Sequence, residues 1–384
     1  MPYVLGVDIG DSFTSAAVCR RDGAGWGGAE TVRLGARSPA AESLIELSPT
    51  GELLTGDGVR ADTSGDPGRI LRGFNRRVGD DVPMVVDGRS YRPQELLAAL
   101  LRLVVDRLRE QEGEACEQVV LACPAGWGAH RQGLLFEALR TIGLDGTVLV
   151  PGPVAAAEHH PGAHALAGYD LGGTTCTTFV VGRPARRPAE LLACERHPVG
   201  GADLDDALVA HVRAAIGKAA DQPESLDSGP GAVLLRRDCT QARERLAEAP
   251  EALVPLPWWA HAPGDLTGET RRELPVTRAA FEALIRPLLL GTVDGLVRLV
   301  EDTADVAGVL LIGGAARTPL VAELLAARLP GPILLDPDPR STTARGAALL
   351  ARRIAGGGRA DGSAWPHETT AGLTPVAAGA WGRH

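Results

Sequence analysis

The residues with the clearest chemical potential lie near the start of the chain, in Gly6-Val7-Asp8-Ile9-Gly10-Asp11-Ser12-Phe13-Thr14. An acid at the end of an apolar strand, followed at once by glycine and a hydroxyl, suits a phosphate-binding hairpin. Glycine lets the backbone approach an oxyanion, turn amides donate to its oxygens, and the carboxylate holds the waters of a magnesium ion. Alone, the pattern is more often only an ordinary hairpin. A second copy changes that reading. Gly168-Tyr169-Asp170-Leu171-Gly172-Gly173-Thr174-Thr175 repeats it, with Asp170 following Asp8 by 162 residues, as Gly168 follows Gly6 and Gly172 follows Gly10. Self-similarity at that distance points to two duplicated lobes rather than a short-period array. Two such hairpins facing each other across a cleft would clamp the phosphates of one nucleotide.

Positioning these residues takes a strand, a tight turn and a returning strand at each place. Val4 to Asp8 and Thr14 to Val18 fit the first hairpin, and Val180-Val181 close the second. Asp87-Gly88 suits a two-residue hairpin turn. A helix is expected from Pro93, with Leu96, Leu97, Leu100, Leu101, Val104, Val105 and Leu108 on one face. Val119–Ala122 reads as a strand, 133–142 as a helix, 148–150 as a strand, and 155–159 as the start of a helix ending in exposed histidines, His159 and His160. The pattern restarts at Ala165, with helices over 204–216 and 240–249 and a hairpin near Trp258-Trp259. Thr277 caps a further helix, Val309–Ile312 is an apolar strand, and 343–354 is the closing helix. Together these predict an α/β fold with lobe I over 1–164 and lobe II over 165–355. The tail 356–384 has no periodicity and reads as disordered or weakly docked.

Composition narrows the classes. The 384 residues are 45% apolar but only 4% aromatic, so Leu, Val and Ala must fill the cores. A net charge of −9 argues against a nucleic-acid or anionic-membrane surface. The N-terminus enters a strand within three residues, which leaves no room for a signal peptide, and no apolar run reaches about 18 residues. The six cysteines form neither a CxxC pair nor a zinc spacing, and fit free thiols in a reducing cytoplasm. A cytoplasmic monomer is expected. The only lysine is Lys218.

In order and spacing the chain resembles the ATPase domain of the seventy-kilodalton heat-shock chaperones (DnaK-like), on the actin and sugar-kinase fold. Besides the hairpins, the matching stretches are Cys123-Pro124-Ala125 with His130-Arg131-Gln132, Pro153-Val154-Ala155-Ala156-Ala157, Gly200-Gly201-Ala202-Asp203-Leu204-Asp205 and Ile312-Gly313-Gly314-Ala315-Ala316-Arg317-Thr318-Pro319. They run from Gly6 to about Leu350. The resemblance implies two duplicated lobes around a nucleotide cleft, ATP or ADP as ligand, and a magnesium ion held through water by Asp8 and Asp170. It makes Asp8, Asp170 and Thr175 the catalytic group. Gly10, Asp11, Ser12 and Phe13 form the first phosphate loop, and Gly172, Gly173, Thr174 and Thr175 the second. Gly200 and Gly201 match a further phosphate-side turn. Arg243, Gly313, Gly314 and Arg317 match the adenosine side.

The departures are as specific. The family's essential lysine aligns with Asn75, its cleft glutamate with Gly152, and the aspartate after its second loop with Thr177. Near adenosine a glutamate is Thr240 and a serine is Ala247, while Asp11 and Phe13 replace a threonine and usually an asparagine. Losing one preorganised electrostatic group costs roughly 10²–10³ in rate. The expectation is therefore an ATP-binding, nucleotide-dependent chaperone-like or partner-binding switch with slow or lost hydrolysis. The alternatives are an active ATPase in which Arg72, Arg76 or Arg77 replaces the lysine, a small-molecule kinase, which is disfavoured, and a non-enzymatic scaffold with a vestigial cleft. No peptide-binding domain is expected, and the protein partner or client is left open.

Overall fold

The computed structural model describes residues 1–357 other than 24, 36–37, 49, 56–66, 161–163, 184–188, 218–229, 257–272 and 304–305. Lys218, Trp258-Trp259 and the tail from 358 lie outside the described residues. Two compact units interleave along the chain. One comprises Met1–Leu166, Phe179–Cys194 and the described part of Asp336–His384; the other comprises Ala167–Thr178 and Glu195–Leu335.

In the first unit, β1 (Tyr3–Ile9) and β2 (Phe13–Asp22) form an antiparallel hairpin with Asp8 opposite Ser15. The short strands β3 (Gly25–Trp26), β4 (Glu30–Val32) and β5 (Ala41–Glu42) pair with β2. A small sheet follows from β6 (Leu44–Leu47), β7 (Leu53–Leu54) and β8 (Ile70–Arg72). Strands β9 (Met84–Val86) and β10 (Arg89–Tyr91) are joined by Asp87-Gly88, both left-handed at φ 48° and 71°, the backbone that a two-residue turn requires. The apolar stripe of α1 (Pro93–Glu112) is buried, except that Val105 is half-buried. Next come β11 (Val119–Cys123), α2 (Ala129–Thr141), β12 (Val148–Pro151) and α3 (Gly152–Glu158). Helix α2 starts four residues before Gly133, because His130-Arg131-Gln132 continues the turn opened after Gly128. Strands β11 and β12 extend the sheet in parallel from β1, with Asp8 opposite Ala122.

The second sheet repeats this plan. Strands β13 (Ala165–Leu171), β14 (Cys176–Gly182) and β15 (Glu190–His197) precede α4 (Gly201–Gly217) and α5 (Pro230–Leu246). The pair β16 (Glu251–Pro255) and β17 (Glu273–Thr277) leads into α6 (Arg278–Glu301). Thr277 caps α6, its hydroxyl accepting the Ala280 N–H at 3.2 Å. Then come β18 (Val309–Ile312), α7 (Pro319–Arg328) and β19 (Ile333–Leu335). The sheet order is β15-β14-β13-β18-β19, and β13 pairs in parallel with β18, placing Asp170 opposite Ile312. Strand β13 thus holds the place in its sheet that β1 holds in the first.

The last described helix, α8 (Thr342–Ala355), packs on β1 and α3. Two glycines permit it. A Cβ at Gly6 would lie 2.1 Å from the Ala348 nitrogen, and one at Gly346 would lie 1.7 Å from the Ala155 carbonyl oxygen. Aliphatic side chains dominate both cores, around Leu5, Val7, Leu97 and Leu101 in the first unit and Leu171, Leu208, Leu289 and Leu311 in the second. Among the described residues, no helix is long and apolar enough to cross a membrane.

Candidate functional site

The first hairpin closes through the Gly10 N–H, which donates to the Phe13 carbonyl at 3.0 Å. Asp8 leaves the buried part of β1 partly exposed, as do Gly10, Asp11 and Ser12, while Phe13 is 39% exposed. Asn75 lies beside this turn. It opens a single 3-10 turn (Asn75–Arg77), is buried, and donates from Nδ2 to the Ile9 carbonyl at 2.8 Å. Of the three neighbouring arginines, Arg72 pairs with Glu42 at 2.9 Å, and Glu42 is the cross-strand partner of Phe13. Arg77 is held by Asp80 at 3.2 Å and the Val82 carbonyl at 2.9 Å. Arg76 is exposed, with its guanidinium beside Gly73. Gly152 opens α3 with space around it: a Cβ would meet Cys123 O at 3.6 Å and Thr343 Cγ2 at 3.8 Å.

The second hairpin has the same closure, with the Gly172 N–H donating to the Thr175 carbonyl at 2.9 Å. Its surroundings differ. The Gly201 N–H donates to Gly172 O at 2.9 Å, the Ala202 N–H to Gly173 O at 2.8 Å, and the Gly200 N–H to Asp203 Oδ2 at 2.8 Å. The Gly200-Gly201 turn therefore spends its amides on bracing the hairpin and closing its own helix end. Gly200 packs so tightly that a Cβ would lie 2.5 Å from the Thr174 backbone. Gly313, at φ 88°, packs as tightly on the other side; a Cβ would lie 2.3 Å from Leu171 O and 2.9 Å from Asp170 Oδ1. Asp170 is partly exposed, yet the protein around its carboxyl pushes it up to about 6 by desolvation. Thr177 is partly exposed on β14.

The two arginines assigned to adenosine have different settings. Arg243 is buried and donates from Nε to Asp205 Oδ1 at 2.5 Å; Thr240 Oγ1 holds the other carboxylate oxygen at 2.9 Å. Arg317 ends the turn Gly314–Arg317 on the surface and pairs with Glu248 at 2.5 Å. The Asp205–Thr240–Arg243 network was not legible beforehand, since its members come from α4 and α5. His159 and His160 are half-buried rather than exposed. His159 Nε2 lies 3.3 Å from Asp336 Oδ2, and burial holds both histidines below their usual range.

A duplicated strand–turn–strand with one acid at each strand end and glycine packing behind the second is a specific architecture. A family model described as Hsp70 protein matches residues 59–362. The chain belongs to the Hsp70 family. It is an Hsp70-like nucleotide-binding domain with the actin-like ATPase fold. The chain is similar to the chaperone protein DnaK of Nitrosopumilus maritimus, 25% identical over 370 residues covering 93% of this chain and 57% of that protein. The chaperone protein DnaK of Cenarchaeum symbiosum is 25% identical over 375 residues, covering 93% of this chain and 55% of that one. That of Thermotoga maritima is 24% identical over 365 residues, covering 92% and 60%. The chain thus spans less than two thirds of the length of these relatives.

Each hairpin by itself ends its central strand in a carboxylate, Asp8 in the first unit and Asp170 in the second, the kind of oxygen donor that suits the coordinated water of a magnesium ion, and the space a Cβ would fill at Gly313 lies against Asp170 Oδ1. Bound magnesium would supply charge neutralisation at the phosphate oxygens.

Proposed function

We propose that this chain binds ATP or ADP with magnesium through the hairpins Gly10–Phe13 and Gly172–Thr175 and hydrolyses ATP slowly or not at all. The nucleotide-dependent state then serves as a switch for a protein partner or client. The observation that carries the loss of hydrolysis is the Asn75 hydrogen bond to Ile9 O at 2.8 Å. A neutral amide already committed to the backbone stabilises developing anionic charge far less than an ammonium. Gly152 brings no side chain to orient water, and Thr177 replaces an acid. Asp8 and Asp170 remain to hold magnesium waters, so binding survives better than turnover.

Restoring Asn75→Lys together with Gly152→Glu tests this. A Cβ at Gly152 would meet nothing closer than 3.6 Å, an ordinary contact distance. Single-turnover phosphate release should rise by at least about 10²-fold, the low end for restoring one electrostatic group. Rapid release by the unaltered protein would contradict the reading. The competing reading, rescue by arginine, now favours Arg76, because Arg72 and Arg77 are engaged by Glu42 and Asp80. Loss of that rapid release in Arg76→Ala would establish it.

A further inference from the structure

We propose that His159 and His160 form a proton-operated latch between α3 and α8: neutral rings let the end of α3 seat against α8, and protonation unseats it. All parts of the latch lie in the first unit. The seat has little slack, because Pro153–Glu158 are buried and the Ala155 carbonyl approaches Gly346 of α8 too closely for any Cβ there. After Ala157 the helix ends in a tight turn. The His159 N–H donates to Ala156 O at 3.2 Å and the His160 N–H to Ala157 O at 3.0 Å. The two rings meet edge to face, with centroids 5.3 Å apart.

His159 Nε2 lies 3.3 Å from Asp336 Oδ2. Asp336 is buried, and its carboxylate also accepts from Arg345, from Thr342 Oγ1 at 3.1 Å and from the Asp338 N–H at 3.1 Å. Burial opposes its charge, but those donors hold it below the usual carboxylate range. An ionised acceptor sets the His159 tautomer, with the hydrogen on Nε2 and the lone pair on Nδ1. That Nδ1 is shut off from solvent and has no hydrogen-bond partner among the described residues; the same holds for His160 Nε2. In a charged imidazole both nitrogens donate, so protonation gives each ring a buried donor without an acceptor.

The surrounding charges work in the same direction. Glu158, which precedes the pair on α3, is bonded to Arg353 of α8. Arg183, just past β14, donates to the Ala157 carbonyl and lies 3.9 Å from Glu158. Arg345 of α8 holds Asp336. Three guanidiniums thus face two carboxylates, and the cluster carries excess positive charge before either ring is protonated. Burial first, and Arg345 with it, outweighs the pull of Asp336 and keeps both rings below their ordinary range. The latch therefore holds fully above about pH 6.5 and weakens as pH falls.

Hydrogen exchange of the full chain at about pH 7.5, 6.5 and 5.5, corrected for the intrinsic pH dependence of exchange, tests the proposal with α1 as internal reference. Exchange in α3 and α8 should rise as pH falls, by at most about tenfold per histidine for each pH unit, the limit for one proton taken up per ring. Exchange in α1 should not rise. His159→Gln with His160→Asn, which keep neutral amide nitrogens near the Nε2 and Nδ1 positions, should abolish the rise and flatten the pH dependence of the urea midpoint. The same pH dependence of α3 and α8 in the unaltered protein and the double variant would overturn the latch. An equal rise in α1 would overturn it too, because the acid effect would then be global. Should the double variant not fold, proton NMR of the unaltered protein decides: both rings titrating at or above about 6.5, the ordinary value, would overturn the proposal, and titration below it together with the local rise in exchange would support it.

Discussion

The two hairpins are the same device in different surroundings. Gly10 and Gly172 close their turns by the same hydrogen bond, and a Cβ on either would approach the accepting carbonyl, at 3.0 and 3.2 Å. Both follow a central strand with parallel neighbours on one side and a returning strand on the other. The second is enclosed by backbone, with Gly200 and Gly201 on one side and Gly313 on the other. The first is held by side chains, Asn75 on Ile9 O and Arg340 on Phe13. Backbone contacts between glycines tolerate little substitution; side-chain contacts can be exchanged one at a time. That difference fits which of the residues implied by the resemblance have been replaced: Asn75, Gly152, Asp11 and Phe13 in the unit of the first hairpin and Thr177, Thr240 and Ala247 in the other are changes of side chain, whereas Gly172, Gly173, Gly200, Gly201 and Gly313 are kept.

The largest expected effect breaks the enclosure of the second hairpin. Gly200→Ala would push a methyl to 2.5 Å from the Thr174 backbone, which no rotamer change relieves. It should destabilise the protein by about 3 kcal/mol or more, the upper end for overpacking. Gly10→Ala and Gly172→Ala should cost similar, smaller amounts, roughly 1 kcal/mol each. Urea midpoints measure all three. Gly200→Ala no worse than Gly10→Ala would mean that the two surroundings do not differ in stiffness.

A second test uses pH. The Asp170 carboxyl is raised from 3.8 to about 6 by desolvation. For an acid raised in the folded state, ionisation opposes folding: Asp170 detracts from stability above about pH 6, and the deficit disappears as pH falls toward 4. Asp170→Asn should therefore stabilise the magnesium-free protein above pH 6 by about 3 kcal/mol, and by almost nothing near pH 4. His159, His160 and His197, all depressed by burial, lose stability as pH falls below 6.5 and drop out of the difference. The same substitution should abolish magnesium dependence of ATP binding. A flat difference across pH 4–8 would show that Asp170 is not desolvated.

Much of this was readable from local spacing. The duplicated DxG turns, the α1 stripe, the Asp87-Gly88 turn and the Thr277 cap each lie within a few residues, where pattern and backbone geometry determine one another. What escaped reading depends on residues far apart in the chain. Arg340 meets Phe13 across 327 positions, and Asp205 meets Arg243 across 38. The amides of Gly200 and Gly201 look available in sequence; only the positions of Gly172 O and Gly173 O show them engaged. His159 looked exposed because its buried partner, Asp336, follows the whole second sheet in sequence.

The smallest effect sharpens the comparison on the adenosine side. Arg317 follows the Gly313 contact by four residues, and the resemblance sets its guanidinium against a purine. It pairs with Glu248, and both side chains are well exposed, at 48% and 69%. Exposed pairs contribute about 0–1 kcal/mol, so Arg317→Ala should shift the urea midpoint little. Arg243 is the contrast, because its removal would leave Asp205 buried without its cation. Should Arg317 stack on the base, Arg317→Ala should weaken Mg-ATP about 2- to 10-fold, the range for a cation–π contact, and leave tripolyphosphate affinity unchanged. Glu248→Gln should act the other way, freeing Arg317 and raising ATP affinity slightly. Unchanged ATP affinity in both variants would make Arg317 a surface residue. Purine recognition would then fall to the Thr240–Asp205–Arg243 network, in which Asp205 and Arg243 are buried and already bonded to each other.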